Sequence, residues 1–388
     1  MKTIDKSKGF RNIHYHSRTI DDLSLTWLAE IFPDLQFSQP TILSIEGYFK
    51  TYIQATNKKQ TFTANGFSKK VRESLTIALL EILERLCGGG ERLTSVGGYI
   101  EARSFLENKK QCFSTKDIYL GAQNSFGYLN NSNGTAIGSS LDEAKYFALM
   151  ELIERDTFLN YWFMGKLPSQ VQLTMMSHME LVKLIQSKGY KVNLYWLKNE
   201  FGYPVIWAVS QSINNEGFAT YSTTGISKDL NGAIDKALSE NIYGLQTYTN
   251  IEEVKKRGHY VKEAGFQATY DNACFYSLAE NVVNFNYLKK AKSTKGQLIA
   301  PDSLFYEAEL KKISCVLKKH NYESFFVLMS DAELHKKNLF VVKALVPNFQ
   351  QLVFGNQWQD RINQKRLLDF SGNQEVKLVT PFLPHPYT

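Results

Sequence analysis

Glu81 and Glu84 stand three residues apart in the run ESLTIALLEILERL, and Glu151 and Glu154 stand three apart in ALMELIERDTF. On a helix, that spacing turns both members of a pair to one side. Each pair is followed at once by an arginine, Arg85 or Arg155, and each interrupts an otherwise apolar stretch. Like charges so spaced repel by about 0.2–0.5 kcal/mol on an exposed helix. On a partly buried face the cost rises to several kcal/mol unless a cation compensates. Carboxylates from two helices supply that compensation by binding a hard cation such as Mg2+, which takes oxygen ligands and often bridges to phosphate. A single E-x-x-E-R reads as surface ion pairing with its own arginine or a nearby lysine. For two copies in apolar surroundings, both readings stand.

The elements that must carry these side chains are legible from periodicity. Residues 69–86 place Leu75, Leu79, Ile82, Leu83 and Leu86 at helical spacing, and Gly88, Gly89 and Gly90 end the pattern. Residues 78–85 and 148–155 both read A-L-apolar-E-apolar-apolar-E-R, and Ala237-Leu238-Ser239-Glu240 is a weaker third echo. The repeat is too short for a solenoid. The second copy lies in a long helix with one wide apolar face, preceded by NNSNGTAIGSS at 130–140, which reads as a polar, glycine-containing loop. Ser139 or Ser140 caps that helix, with Glu143 in its first turn. A third loop and helix occupy 222–245.

Elsewhere, 23–32 reads as a short helix stopped by Pro33, 42–54 as extended, and 92–120 as shorter strand-like segments. Runs at 191–197 and 203–210 read as strands around a turn at 199–202. A helix at 306–319 precedes strands at 324–329 and 339–345. Helices alternating with strand pairs predict an α+β fold, with layered helices and mixed or antiparallel sheets in a single large domain. The boundaries are an N-terminal segment at 1–60 and one large domain at 61–388.

Composition narrows the function classes. The 388 residues are 43% hydrophobic and 21% charged, which is globular rather than disordered. No stretch approaches the roughly 20 apolar residues of a membrane helix, and the charged start lacks the apolar core of a signal peptide. A cytoplasmic location is expected. Cys87, Cys112, Cys274 and Cys315 form no C-x-x-C pair, so zinc-ribbon, thioredoxin and disulfide-framework patterns fail. H-E-x-x-H and G-x-x-x-x-G-K-[ST] are both missing. The 45 Lys and Arg against 38 Asp and Glu leave +7, but the basic residues are dispersed pairs such as Lys69-Lys70 and Lys336-Lys337. No nucleic-acid surface is expected from that pattern.

The stretch Ser132-Asn133-Gly134-Thr135-Ala136-Ile137-Gly138, then Glu143-Ala144, then Glu151 to Asp156, resembles the signature of the YcaO-domain family. Glu81 to Arg85 sits where that family places its upstream copy. Thr224-Gly225-Ile226 with 233–240, and the proline-bearing ending, are also similar, so the resemblance runs in order through about 65–388. It implies an ATP-dependent enzyme with Mg2+ held by helix carboxylates and no P-loop. Carried over, Glu81, Glu84, Glu151 and Glu154 are the Mg2+ ligands, Glu143 is a further nucleotide-site acid, and Arg85 and Arg155 neutralise phosphate or hold the carboxylates. Ile77 and Ala136 replace serines of the family pattern and Phe147 replaces a glutamine, which touches nucleoside or phosphate hydrogen bonds but leaves the carboxylates intact. Pro384-His385-Pro386-Tyr387-Thr388 matches P-x-P-x-P except at the last position.

The resemblance further implies cyclodehydration of a ribosomal precursor peptide, as in thiazole/oxazole-modified bacteriocins. A Cys, Ser or Thr side chain attacks the preceding carbonyl, and ATP phosphorylates the oxygen so that phosphate leaves and an azoline forms. The tail with Pro384 and Pro386 lies near the site, and the Thr388 carboxylate or His385 serves as base, although a tail histidine is more often solvated. With about 60 residues ahead of the first motif helix, leader recognition is expected from a separate E1-like (ThiF-like) partner. A flavin-dependent dehydrogenase as a further partner, and a homodimer within a larger complex, complete the implied assembly. Two alternatives are a thioamide- or amidine-forming YcaO enzyme, and a non-catalytic scaffold suggested by Ile77, Ala136 and Phe147.

Overall fold

The computed structural model describes residues 23–91, 98–107, 109–119, 131–173, 175–248, 250–294, 305–355, 358–372 and 383–387. The chain forms two compact units. One comprises the described residues within Ile13–Leu152 and Ser303–Pro347, the other those within Ile153–Asp302 and Asn348–Thr388.

In the first unit, the Ser24 hydroxyl accepts the Trp27 amide and starts helix α1 (Leu25–Ile31), which ends just before Pro33. Strands β1 (Gln36–Phe37), β2 (Thr41–Ile45), β3 (Tyr48–Thr56) and β4 (Thr61–Ser68) form an antiparallel sheet in which β3 pairs with the other three. The single extended run expected over 42–54 is instead a hairpin. Glu46 and Gly47 both take positive φ, 44° and 85°, the backbone of a two-residue turn matched to strand twist. Helix α2 (Val71–Gly88) follows β4 directly and carries Glu81 and Glu84.

Strands β5 (Tyr99–Ser104) and β6 (Lys110–Ser114), short helix α3 (Thr115–Ile118) and strand β7 (Thr135–Gly138) lead into helix α4 (Leu141–Met164). Strand β7 corrects the loop expected over 130–140, since its four residues are all buried. Polar and glycine composition hides it, and its pairing partner is supplied only about 200 residues later. No residue of α4 is exposed, so burial extends around the whole helix and takes in charged residues such as Glu143, Glu154 and Asp156. Its continuous backbone passes from one unit into the other between Leu152 and Ile153.

The second unit holds β8 (Ser169–Val171), α5 (Met176–Ser187), β9 (Tyr190–Leu197), β10 (Val205–Ser212) and β11 (Thr220–Ile226), then α6 (Leu230–Leu245), α7 (Ile251–Ala264), α8 (Asp271–Tyr276) and β12 (Ser293–Thr294). Its sheet runs β11-β10-β9-β8-β12, antiparallel except for β8 with β12. Trp162 and Trp207 are fully buried and meet edge to face at 6.2 Å, which anchors an aromatic core.

The chain then returns to the first unit with α9 (Tyr306–Lys319), β13 (Phe325–Leu328), α10 (Ala332–Lys336) and β14 (Phe340–Leu345), completing the sheet β6-β5-β13-β14-β7. The main core there joins Ile53, Leu83, Leu86, Ile137, Val327 and Val341. Helix α11 (Gln364–Ser371) and the segment 383–387 return to the second unit. Among the described residues, no helix is long and apolar enough to cross a membrane.

Candidate active site

Within the first unit, helix α2 presents its acids toward backbone donors. Glu84 is 8% exposed, and its carboxylate accepts the Ile137 amide of β7 at 3.1 Å. Glu81 accepts the Asn65 amide at 2.8 Å and both the Nε and an Nη of Arg85, at 3.1 and 2.7 Å. Arg85 therefore serves as a counter-ion one turn along its own helix, the bland alternative for this pair. At the start of α4, Ser140 is the cap: its hydroxyl accepts the Glu143 amide at 3.2 Å. The fully buried Glu143 carboxylate takes the Ser139 amide at 2.8 Å, the Ser139 hydroxyl at 2.6 Å and the Tyr306 hydroxyl at 3.0 Å. Burial and the Glu143 charge push the Tyr306 phenol well above its usual pKa, so it stays a donor.

Glu151 is half-buried on α4. It interacts electrostatically with Lys343 of β14, a lysine 1% exposed whose ammonium donates to the Asn131 and Asn133 carbonyls. Burial pulls Lys343 down to about 8, with the Glu151 charge opposing.

In the second unit, Glu154 is 1% exposed and fully engaged. Oε1 accepts the Thr224 hydroxyl at 2.6 Å and the Tyr387 hydroxyl at 3.3 Å, while Oε2 accepts Lys236 Nζ at 2.6 Å. Burial acts to raise its pKa, but the charges of Lys236 and Arg155, with hydrogen bonds from Lys236 and Thr224, outweigh it and hold the carboxyl below its usual range. Arg155 lies over the Tyr387 ring, 3.7 Å from its centroid. The tail is thus folded in. His385 is not solvated but 0% exposed, with Nε2 3.0 Å from the Val353 carbonyl and Nδ1 3.4 Å from the Asn272 amide nitrogen. Burial drives it down to about 3, so it is a neutral anchor whose two nitrogens are both engaged. The Pro384 and Pro386 carbonyls accept Tyr276 and Ser222 hydroxyls at 2.6 and 2.8 Å. Thr388 lies outside the described residues.

Among the described residues, no three His, Cys, Asp or Glu side chains converge closely enough to form a metal cage. Within each unit the donor chemistry fits Mg2+, a hard cation that takes oxygen ligands: Glu84 in the first and Glu154 in the second are buried carboxylates that already draw N–H or ammonium donors.

Thr224, Lys236, Tyr306, Lys343 and Tyr387 received no role from the sequence. Lys343 carried a readable signal, a lone charge inside the apolar strand FVVKAL. The others become visible only as partners of acids distant in sequence.

The family model described as YcaO cyclodehydratase, ATP- and Mg2+-binding, matches residues 99–350. The chain belongs to the YcaO cyclodehydratase family, a family of ATP- and Mg2+-dependent enzymes. The first acid pair, Glu81 and Glu84, precedes the matched span. The fold is similar to that of YcaO from Methanopyrus kandleri bound with AMPPCP and Mg2+, at 14% identity and a TM-score of 0.69, over 89% of this chain and 93% of that one. It is also similar to a heterocyclase in complex with substrate and cofactor, at 14% identity and 0.66, over 89% of this chain but 54% of the other. The Escherichia coli microcin synthetase McbBCD complex matches at 14% identity and 0.57, over 81% and 88%. No curated protein sequence matches the chain at a significant level.

Proposed function

We propose that this chain is the ATP-dependent cyclodehydratase subunit of a peptide-modifying complex, acting on backbone amides of a ribosomal precursor peptide to convert Cys, Ser or Thr into thiazolines or oxazolines. One observation carries the reading. The proline-bearing tail, the feature associated with azoline-forming members, is docked onto Glu154, an acid of the family's helix signature, through the Tyr387 hydroxyl. Similarity to a microcin synthetase complex, one structure of which holds pro-MccB17, supports a precursor peptide and companion subunits.

Bound Mg2+·ATP supplies the phosphoryl group that makes the amide oxygen a leaving group. The chain's own residues do the rest. Glu81, Glu84, Glu151 and Glu154 provide carboxylates for the cation, and Lys236, Arg85 and Arg155 balance charge on the acids and on phosphate. Glu143 holds the start of α4 in place through Ser139 and Tyr306. A separate leader-binding protein presents the peptide, and the location is the cytoplasm.

Mixing the chain with a candidate partner, precursor peptide and Mg2+·ATP, and weighing the peptide, tests this. Loss of one water mass per ring with matched ADP release is the expected result. Exchange of oxygen for sulfur, or no nucleotide turnover under any combination, overturns it.

A further inference from the structure

Three consecutive carbonyls of the tail are each taken by a side chain of the second unit. The Tyr276 hydroxyl donates to Pro384, the Asn272 amide to His385 at 2.9 Å, and the Ser222 hydroxyl to Pro386. This fixes the path of the tail residue by residue and brings the Tyr387 side chain down on Glu154 and Arg155. Its hydroxyl lies 3.3 Å from Glu154 Oε1 and 3.2 Å from Thr224 Oγ1. Its ring lies against the Arg155 guanidinium and stands edge-on to Phe158 at 5.5 Å.

The two oxygens of Glu154 are therefore held unequally. Oε1 has hydroxyl donors from Thr224, which is 1% exposed, and from a tail pinned by its own backbone. Oε2 is held by the flexible Lys236, whose side chain is 33% exposed. A long side chain at that exposure can turn its ammonium to water at little cost, whereas the groups on Oε1 cannot move without undoing the packing around them.

We propose that Tyr387 is a positioning residue for Glu154: together with Thr224 it fixes Oε1, so that Oε2, the oxygen Lys236 neutralises here, is the one presented to a divalent cation. The inference rests on the Mg2+·ATP reading of the site. Its consequence is a linkage between the tail and the metal. Whatever the docked tail contributes to cation binding, cation binding returns to tail docking.

The test uses the full chain and titrates a non-hydrolysable ATP analogue by calorimetry with and without Mg2+, while hydrogen exchange follows the Leu383, His385 and Tyr387 amides of the tail. Tyr387→Phe keeps the ring against Arg155 and Phe158, so the tail stays protected. The Mg2+-dependent gain in nucleotide affinity nevertheless falls by about threefold to tenfold, the worth of one ordinary hydrogen bond, with metal-free affinity unchanged. Tyr387→Ala gives at least that loss and also exposes the tail. In wild type, Mg2+ with the analogue slows exchange in the tail, and Tyr387→Phe blunts that slowing. If Tyr387→Phe keeps its Mg2+-dependent affinity while Glu154→Gln loses it, the positioning role is wrong and the nucleotide-site reading stands. If wild type shows no Mg2+-dependent nucleotide affinity at all, both are wrong.

Discussion

Glu154 shows how a buried acid is kept ionised. Removing such a carboxylate from water costs several kcal/mol, and the cost is offset only when charge and hydrogen bonds replace the solvent. Lys236, Arg155, Thr224 and Tyr387 all do so, and the pKa falls rather than rises. Glu154→Gln keeps the shape and removes the charge. ATP turnover is expected to drop by about 100-fold or more, as for loss of a group stabilising phosphoryl charge. Circular dichroism should show an unchanged fold, because Lys236 rehydrates. Turnover within a few-fold of wild type would remove Glu154 from the site.

His385 makes a different prediction at the same scale. Its folded pKa, about 3, lies below the ordinary value of 6.5, so the folded tail holds the neutral ring. Unfolding or undocking then takes up a proton at any pH between those values. The stabilisation is complete above about pH 6.5 and is lost progressively as pH falls toward 3. Hydrogen exchange at the Leu383, His385 and Tyr387 amides, corrected for intrinsic rates, should therefore rise as pH falls from 7.5 to 5 in wild type. In His385→Gln, which cannot titrate, that pH dependence should disappear.

Among the elements, helices α2, α4 and α6 share more than an echo in their sequences. Each follows a strand whose glycine faces it at backbone contact. A Cβ on Gly66 would lie 1.7 Å from the Ser74 carbonyl oxygen, and one on Gly225 would lie 2.5 Å from both the Ala233 oxygen and the Ala237 nitrogen. Strand, tight connection and helix thus recur with the same close approach, at β4–α2, β7–α4 and β11–α6. Gly225→Ala forces α6 away from β11, and with it Lys236 and the partners of Thr224. A loss of about 1–3 kcal/mol of stability is expected, read as a lowered midpoint in denaturant. No shift in the midpoint would mean that the contact yields more easily than backbone should.

At the level of the whole chain, each unit is closed by a segment that arrives late in sequence and is tied down by a buried cation. In the first unit, Lys343 joins β14 to the carbonyls ahead of β7. In the second, Arg366 of α11, 2% exposed, grips Asp156 through Nε at 3.0 Å and Glu200 through Nη2 at 2.6 Å, and Asp156 also accepts the Gln350 amide. Arg366→Leu leaves two acids facing each other, one of them buried, without their cation. Destabilisation of about 3–5 kcal/mol is expected, with the second unit losing hydrogen-exchange protection before the first. Equal loss in both units would show that they unfold as one.

The helices of this protein were legible because periodicity is local. The 306–319 helix and the glycine stop after α2 need nothing beyond their own residues, whereas the spacing of the paired glutamates alone left both an ion-pair and a cation reading standing. Strand β7 was hidden, because four residues of polar and glycine-rich sequence become a buried strand only when β14 comes alongside. The same holds for the partners of the acids. Lys236, Tyr306 and Tyr387 lie 82, 163 and 233 positions from the carboxylates they touch, and no window of sequence contains both members of any pair. Residue type and short-range spacing determined which groups carry charge and which helices carry them. The tertiary structure decided which of those charges are buried and what neutralises each, because desolvation and hydrogen bonding depend on neighbours in space.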